Sequence, residues 1–290
     1  MALPIKKVYV DTAYKAPGSR TNSDFRFQLP ESLTMPDNAV FFVDDVSVPH
    51  SWRTIEPGIN DRFFFQLSTT EPNDDIRPDY GYNVELESKV YTGTDLAAEL
   101  QTKMNAAAAG LFADAFTASY DYARNQITIA TTFSEVIFRV LTTGDLESGI
   151  GDATWVGPAF DPKRPNDING EMLKQSEGAS DWFGFGSPWV SESVSLQPIR
   201  NLYLYSPNLG SYSTVGPNGE ASILKVIPVS APPGSMILDQ VVAGNDYLDC
   251  GRQTLRTLEF QLKDVHGNLV PFHGSNLSFS LVFDVVSEGR

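Results

Sequence analysis

The chain has 290 residues, 41% of them hydrophobic, a single cysteine and a formal net charge of −15. That length allows one or two domains with a sizeable core, the lone Cys250 excludes an internal disulfide framework, and the acidity opposes general nucleic-acid binding, which needs clustered Lys and Arg. No stretch approaches the roughly 18 apolar residues of a membrane-spanning helix, and the first seven residues lack the apolar core of a signal peptide.

In chain order, four strands are predicted first, at residues 7–10, 25–29, 40–48 and 62–67. Aromatic and β-branched side chains dominate them, as half-buried pleated surfaces favour. Pro30, Pro36, Pro49 and the Pro57-Gly58 pair punctuate them. A block of different texture follows. A helix is expected near 95–109, with Thr94 as N-cap, Asp95 in its first turn and Gly110 as its stop. Leu96, Leu100, Met104 and Ala107 fall on one face of that helix. A hairpin near 116–130, turning at Ala123-Arg124-Asn125, and a strand at 138–141 come next. Residues 144–193 read as loop-rich, and a long irregular segment in a compact domain is usually functional or mobile. Four more strands are predicted at 201–205, 221–229, 254–262 and 277–285.

Strands at both ends of a chain that alternate with period two bracket whatever lies between them. The expected fold is therefore all-β: an eight-stranded single jelly-roll sandwich built from residues 1–70 plus 196–290, with an inserted α+β block at 71–195. The charge divides the same way. Residues 71–195 hold 20 acids and 8 bases, a net −12, against −1 for residues 1–70 and −2 for 196–290. Such acidity fits a solvated surface, or an outward-facing block that keeps particles soluble and mutually repelling.

Little catalytic chemistry is legible. Of three histidines, His266 and His273 lie seven residues apart around a turn without the supporting ligands of a metal site. Asp264 could pair with His266, yet no serine stands in a nucleophile-elbow setting. Cys250 follows Asp249 with only Arg252 as a basic neighbour, which fits a packed, inert thiol. Gly184-Phe185-Gly186 lacks the third glycine and the strand–turn–helix setting of a dinucleotide site. Asp44-Asp45 could serve as paired acids, or be one structural and one solvated acid at a strand bend, and Asp74-Asp75, in a polar loop, reads as solvated. Trp155, Trp182, Phe183, Phe185 and Trp189 form either a small core for the loop-rich segment or a platform for stacking a sugar. No catalytic, cofactor or metal residue is assigned. The remaining feature is a basic N-terminal segment, Lys6, Lys7, Lys15 and Arg20, with Asp11 its only acid, read either as a solvated terminus or as an arm touching an anionic partner.

The opening Val8-Tyr9-Val10-Asp11-Thr12-Ala13-Tyr14-Lys15, then Ser23-Asp24-Phe25 and Leu29-Pro30, resembles minor capsid proteins of polinton and adintovirus-type DNA viruses. Met35-Pro36-Asp37-Asn38, the stretch from Val43 through Trp52, and Leu196-Gln197-Pro198-Ile199-Arg200-Asn201 extend the resemblance. The closest blocks are Leu248-Asp249-Cys250, the stretch from Thr254 through Phe260, Asp264-Val265-His266-Gly267-Asn268, and His273-Gly274 onward to Phe283. Tyr91-Thr92-Gly93-Thr94-Asp95-Leu96 and the following hairpin resemble a module that recurs in several viral structural proteins.

The resemblance implies a single jelly-roll penton protein of the virion. Five copies would close each fivefold vertex of an icosahedral capsid, beside a double jelly-roll major capsid protein. Beyond the resemblance, the charge distribution suggests the orientation: the acidic inserted block would face outward. Lys6, Lys7, Lys15 and Arg20 would face inward, toward packaged nucleic acid or another capsid chain. The competing readings are another virion component on the same fold, such as a spike or cement protein, and a carbohydrate-binding β-sandwich.

Overall fold

The computed structural model describes residues 6–69, 80–141, 154–156 (backbone only), 173, 183–209, 214–217, 219–244 and 246–286. In chain order the strands are β1 (Lys6–Asp11), β2 (Asp24–Thr34), β3 (Ala39–Pro49), β4 (Arg62–Thr69) and β5 (Tyr80–Glu85). Helix α1 (Gly93–Ala108) precedes β6 (Phe116–Asp121), β7 (Gln126–Thr131), β8 (Val136–Val140), β9 (Thr154–Val156) and β10 (Trp189–Val190). The last strands are β11 (Asn201–Tyr205), β12 (Ile223–Pro228), β13 (Met236–Asp239), β14 (Leu248–Asp249), β15 (Thr254–Lys263) and β16 (Ser278–Val285). They fall into two compact units, Met1–Trp52 with Ile199–Arg290, and Arg53–Pro198.

The first unit is a sandwich of two sheets. One has the order β1-β16-β3-β13, with the two-residue β14 also on β3; the other has the order β12-β11-β15-β2. Four antiparallel pairs are nested: β1 with β16, β2 with β15, β3 with β13, and β11 with β12. First pairs with last, second with second-to-last, and so inward, which is one long hairpin. Pairing of β16 with β3 and of β11 with β15 rolls that hairpin up. This is the jelly-roll topology. Its core is filled from both sheets by Val10, Phe25, Phe41, Val48, Leu202, Ile227, Ile237, Phe260, Leu281 and Phe283. Alternate residues supply it because successive strand side chains point to opposite faces.

The second unit has its own core. A four-stranded sheet, β8-β4-β5-β9, and a three-stranded sheet, β10-β7-β6, contribute to it together with α1. The helix starts on a capping box. Thr92 Oγ1 accepts the Asp95 N–H at 3.2 Å, while the Asp95 carboxylate accepts the Thr92 N–H. Its buried face holds Leu96, Ala97, Leu100, Met104 and Ala108. Its polar side chains finish β6, an edge strand. Asn105 accepts the Phe116 N–H at 2.8 Å and donates to the Phe116 carbonyl at 2.9 Å. Gln101 accepts the Ala118 N–H at 2.8 Å. Backbone groups that would otherwise template another chain are thus occupied from within.

The structure differs from the sequence reading in several places, the unpredicted β5 among them. The predicted strand at 62–67 is β4, and it belongs to the inserted unit, because its partners are β5 and β8. The boundaries therefore lie at 52/53 and 198/199, not at 70/71 and 195/196. The eighth sandwich strand is instead β13, a four-residue edge strand with one buried side chain, Ile237, too short to show alternation. The helix is capped by Thr92, not Thr94, since Asp95 completes its box only from the third helical position. It ends at Ala108, with Ala109 as C-cap, before Gly110. Most of 144–193, including residues 161–167, lies outside the described residues, as do Asp74 and Asp75.

Candidate assembly surface

Among the described residues no three His, Cys, Asp or Glu side chains gather as a metal site. No described helix is long and apolar enough to cross a membrane. Most side chains singled out by their chemistry have structural surroundings. His50 is buried at the end of β3, its Nδ1 2.6 Å from the Ala231 carbonyl and its ring centroid 4.1 Å from that of Trp52. Burial pushes its pKa down, against the opposing pull of that carbonyl. His266 and His273 sit on the two turns between β15 and β16, and His273 adopts a left-handed backbone. Asp264 closes the first of these turns by accepting the His266 and Asn268 N–H groups at 2.9 and 2.8 Å. Cys250 is fully buried, and burial pushes its thiol up to about 12, an inert state.

Among the described residues, the aromatic side chains do not form a platform. Trp189 is only 3% exposed and packs into the core of the inserted unit, and Phe183 packs against the same core. Phe185 is exposed on a turn. Trp182 and the side chain of Trp155 lie outside the described residues.

The four basic residues are not a free arm. Lys6 and Lys7 stand on β1, which is hydrogen-bonded along its length to β16. Lys15 and Arg20 follow in the β1–β2 connection. Lys6 reaches Glu31 at 2.5 Å and Arg20 reaches Asp24 at 3.5 Å. Lys7 lies 2.6 Å from Asp44 and 3.4 Å from Asp45, which assigns that acid pair a role on the outer face of the sheet. The hydrogen bond to Asp44 raises the Lys7 pKa, and the hydrogen bond from Lys6 lowers that of Glu31. Lys15 donates to the Asn22 side-chain oxygen at 2.5 Å. Asn22 in turn donates to the Ser275 carbonyl at 2.8 Å, tying the β1–β2 connection to the β15–β16 connection.

What remains open is the rim of the sandwich. In the sheet β1-β16-β3-β13 the two outer strands each have one unpaired side among the described residues. On β13 and just beyond it, Leu238 is 64% and Val241 74% exposed, with Met236 and Tyr247 also outside. Beside Tyr247 the Phe42 ring lies 4.9 Å away, centroid to centroid. At the opposite rim Tyr9 is 71% and Tyr14 80% exposed. Sequence reasoning missed the β13 rim. Its only signal was the unbroken apolar run Met236-Ile237-Leu238 followed by Val241-Val242, more apolar residues than a strand with one buried face needs.

No protein-family model matches the chain, and no curated protein matches it in sequence. Among solved structures, the crystal structure of the selenomethionine-labelled mavirus penton protein matches at a TM-score of 0.53 and 12% identity, over 97% of this chain and 100% of that one. The cryo-electron microscopy structure of the Sputnik virophage matches at a TM-score of 0.41 and 16% identity, over 96% of this chain and 98% of that one. Over nearly its whole length, the chain has the fold of the mavirus penton protein.

Proposed function

We propose that this chain is a penton subunit, a structural protein that closes the fivefold vertices of an icosahedral capsid. The observation that carries the reading is the full-length match to a penton protein, which includes the inserted unit as well as the sandwich. A sandwich alone would fit many functions. The packing of Trp189 and Phe183 into a core counts against the carbohydrate-binding alternative. The surroundings of the reading follow from it: a homopentamer, a location in the virion, and a double jelly-roll major capsid protein as neighbour.

The orientation belongs to the same proposal, with the acidic inserted unit outward and the β1 segment inward. With the boundaries at 52/53 and 198/199, the inserted unit holds 22 acids and 10 bases, and the sandwich has 14 acids and 11 bases. The carboxylate partners of Lys6, Lys7 and Arg20 count against a direct role for them on packaged phosphate.

The test is single-particle electron microscopy of the purified full-length chain, with mass photometry. A fivefold ring with a mass near five times 31.9 kDa is expected. A threefold assembly would select a spike or cement role instead, and a monomer under all assembly conditions would remove the penton reading. In a reconstruction of the whole particle, an inserted unit on the inner face would refute the orientation alone.

A further inference from the structure

A ring of identical subunits needs two different surfaces on each one, because a cyclic contact is head-to-tail and closes on itself. The sheet β1-β16-β3-β13 supplies two such surfaces as its edges. We propose, building on the penton reading, that the β13 edge of one copy, residues 236–250, docks against the β1 edge of the next copy and the β1–β2 connection that follows it, residues 6–20.

Three observations carry this. The first is direction. β1 is antiparallel to β16, β16 to β3, and β3 to β13. With four strands in strict alternation, β13 runs opposite to β1. The β13 edge of one copy therefore meets the β1 edge of the next as an antiparallel neighbour, continuing the alternation of the sheet.

The second is charge. Residues 6–20 carry four bases and one acid, whereas residues 236–250 carry three acids, Asp239, Asp246 and Asp249, and no base. Some of this charge is matched within the subunit, through Glu31, Asp44 and Asp24 on one rim and Lys225 with Asp239 at 3.6 Å on the other. Lys15, however, is held by the neutral Asn22 amide. Asp246 and Asp249 accept the backbone N–H groups of Ala243 and Gly251, at 2.7 and 2.8 Å. These three keep their charge for a partner, and the signs at the two rims are opposite.

The third is the kind of surface. Leu238 and Met236 on one rim, and Tyr9 and Tyr14 on the other, are large apolar or aromatic side chains standing in water. An unpaired edge strand templates further pairing, and proteins blunt such edges or use them; on β13 the one charge, Asp239, is already paired with Lys225 at 3.6 Å. The inserted unit blunts its own edge strand β6 with Asn105 and Gln101. On the β13 edge the outward side chains are apolar.

The experiment uses the full-length chain, whose only cysteine is buried and inert. A variant with Tyr9→Cys and Leu238→Cys is treated with a short bismaleimide and compared with each single variant. The expected result is a covalent ladder from dimer to pentamer for the double variant, and monomer only for Y9C or L238C alone. A dimer from either single variant would mean like edges meet, and would overturn the proposal. A wild-type ring without any ladder would also overturn it while leaving the penton reading intact. A wild type that never forms a ring would remove both. As a second measurement, Asp246→Lys with Asp249→Lys is expected to abolish the ring, and adding Lys15→Glu with Arg20→Glu to restore it. A ring that persists through the acid reversal would overturn the proposal.

Discussion

The two units reach β-rich structures by opposite routes. The sandwich joins the extremes of the chain: the Thr12 N–H donates to the Leu277 carbonyl at 3.0 Å across 265 residues, and β1 pairs along its length with β16. The inserted unit is stitched largely from near neighbours, with β6 beside β7, α1 against β6, and β4 beside β5. Non-local pairing must close long loops before any contact offsets the entropy lost. A jelly roll of nested pairs nevertheless accepts an insertion between β3 and β11, because lengthening an already long connection adds little further closure cost. The units also differ in charge, −12 against −3, with the same chain supplying both. A scaffold that organises by its ends leaves its middle free to diversify.

The strongest way to break this contrast is to empty each core in turn. Phe260 is fully buried between Phe25 and Phe279, with ring centroids at 5.4 and 5.0 Å. Leu100 is fully buried in the other core. Phe260→Ala is expected to cost about 3–5 kcal/mol and Leu100→Ala about 2–5 kcal/mol. Hydrogen exchange by mass spectrometry should show Phe260→Ala loosening peptides from both ends of the chain while 116–131 stays protected. Leu100→Ala should do the reverse. Equal loosening everywhere would mean the two cores unfold as one block.

A close approach inside the inserted unit gives the next effect. Gly93 opens α1 against the tip of the Tyr120 ring, and a Cβ placed on Gly93 would overlap that ring. The ring has little room to retreat, because its hydroxyl donates to the Asn125 side chain at 2.7 Å. Asn125 itself holds a left-handed backbone and donates to the Val194 carbonyl at 2.9 Å. Gly93→Ala should cost about 1–3 kcal/mol, as overpacking does. Thermal melts should show Tyr120→Ala masking that cost, since the overlap disappears with the ring.

Loss of the helix cap ranks below this. Thr92→Ala removes an acceptor for an otherwise unpaired helical N–H and should cost about 1 kcal/mol. Thr94→Ala, at the position the sequence reading preferred, should be near neutral in the same denaturant titration. The reverse ranking would restore the original assignment.

Legibility in the sequence followed how much each element shows by itself. β1, β2, β3, β15 and β16 alternate over enough residues to be read directly, and the apolar spacing of α1 located the helix to within a turn. What no local pattern carries is membership. β4 has the aromatic density of a sandwich strand, yet Phe63, Phe65 and Leu67 point into the other core. β5 was missed because Tyr80, Tyr82 and Val84 are spaced by Gly81 and Asn83, a weak alternation that follows a polar stretch of sequence. The basic residues of the candidate surface were legible as charge. Their pairing was not, since Glu31 and Asp44 come alongside only when β1 takes its place in the sheet. The β13 rim needed the topology before its exposed Leu238 had meaning.

The smallest effect separates the units by pH. All three histidines, His50, His266 and His273, belong to the sandwich, so the inserted unit has no group of that kind to titrate. His50 is the buried one, and burial lowers its pKa in the folded state. In the unfolded chain a histidine titrates near 6.5. As pH falls through about 6.5 the unfolded state therefore takes up a proton that the folded state refuses, and stability falls with it; above that pH the penalty is absent. Lowering the pH from 7 to 5 should weaken exchange protection in β3 and β13 on account of His50, while 116–131 gains no histidine-dependent loss. His50→Gln keeps a side-chain N–H for the Ala231 carbonyl and removes the titrating ring. It should flatten the difference between the units over that interval, at the expense of the stacking on Trp52. If the sandwich of the Gln variant still loosens as steeply between pH 7 and 5, the proton is being taken up elsewhere and His50 is only a packing residue.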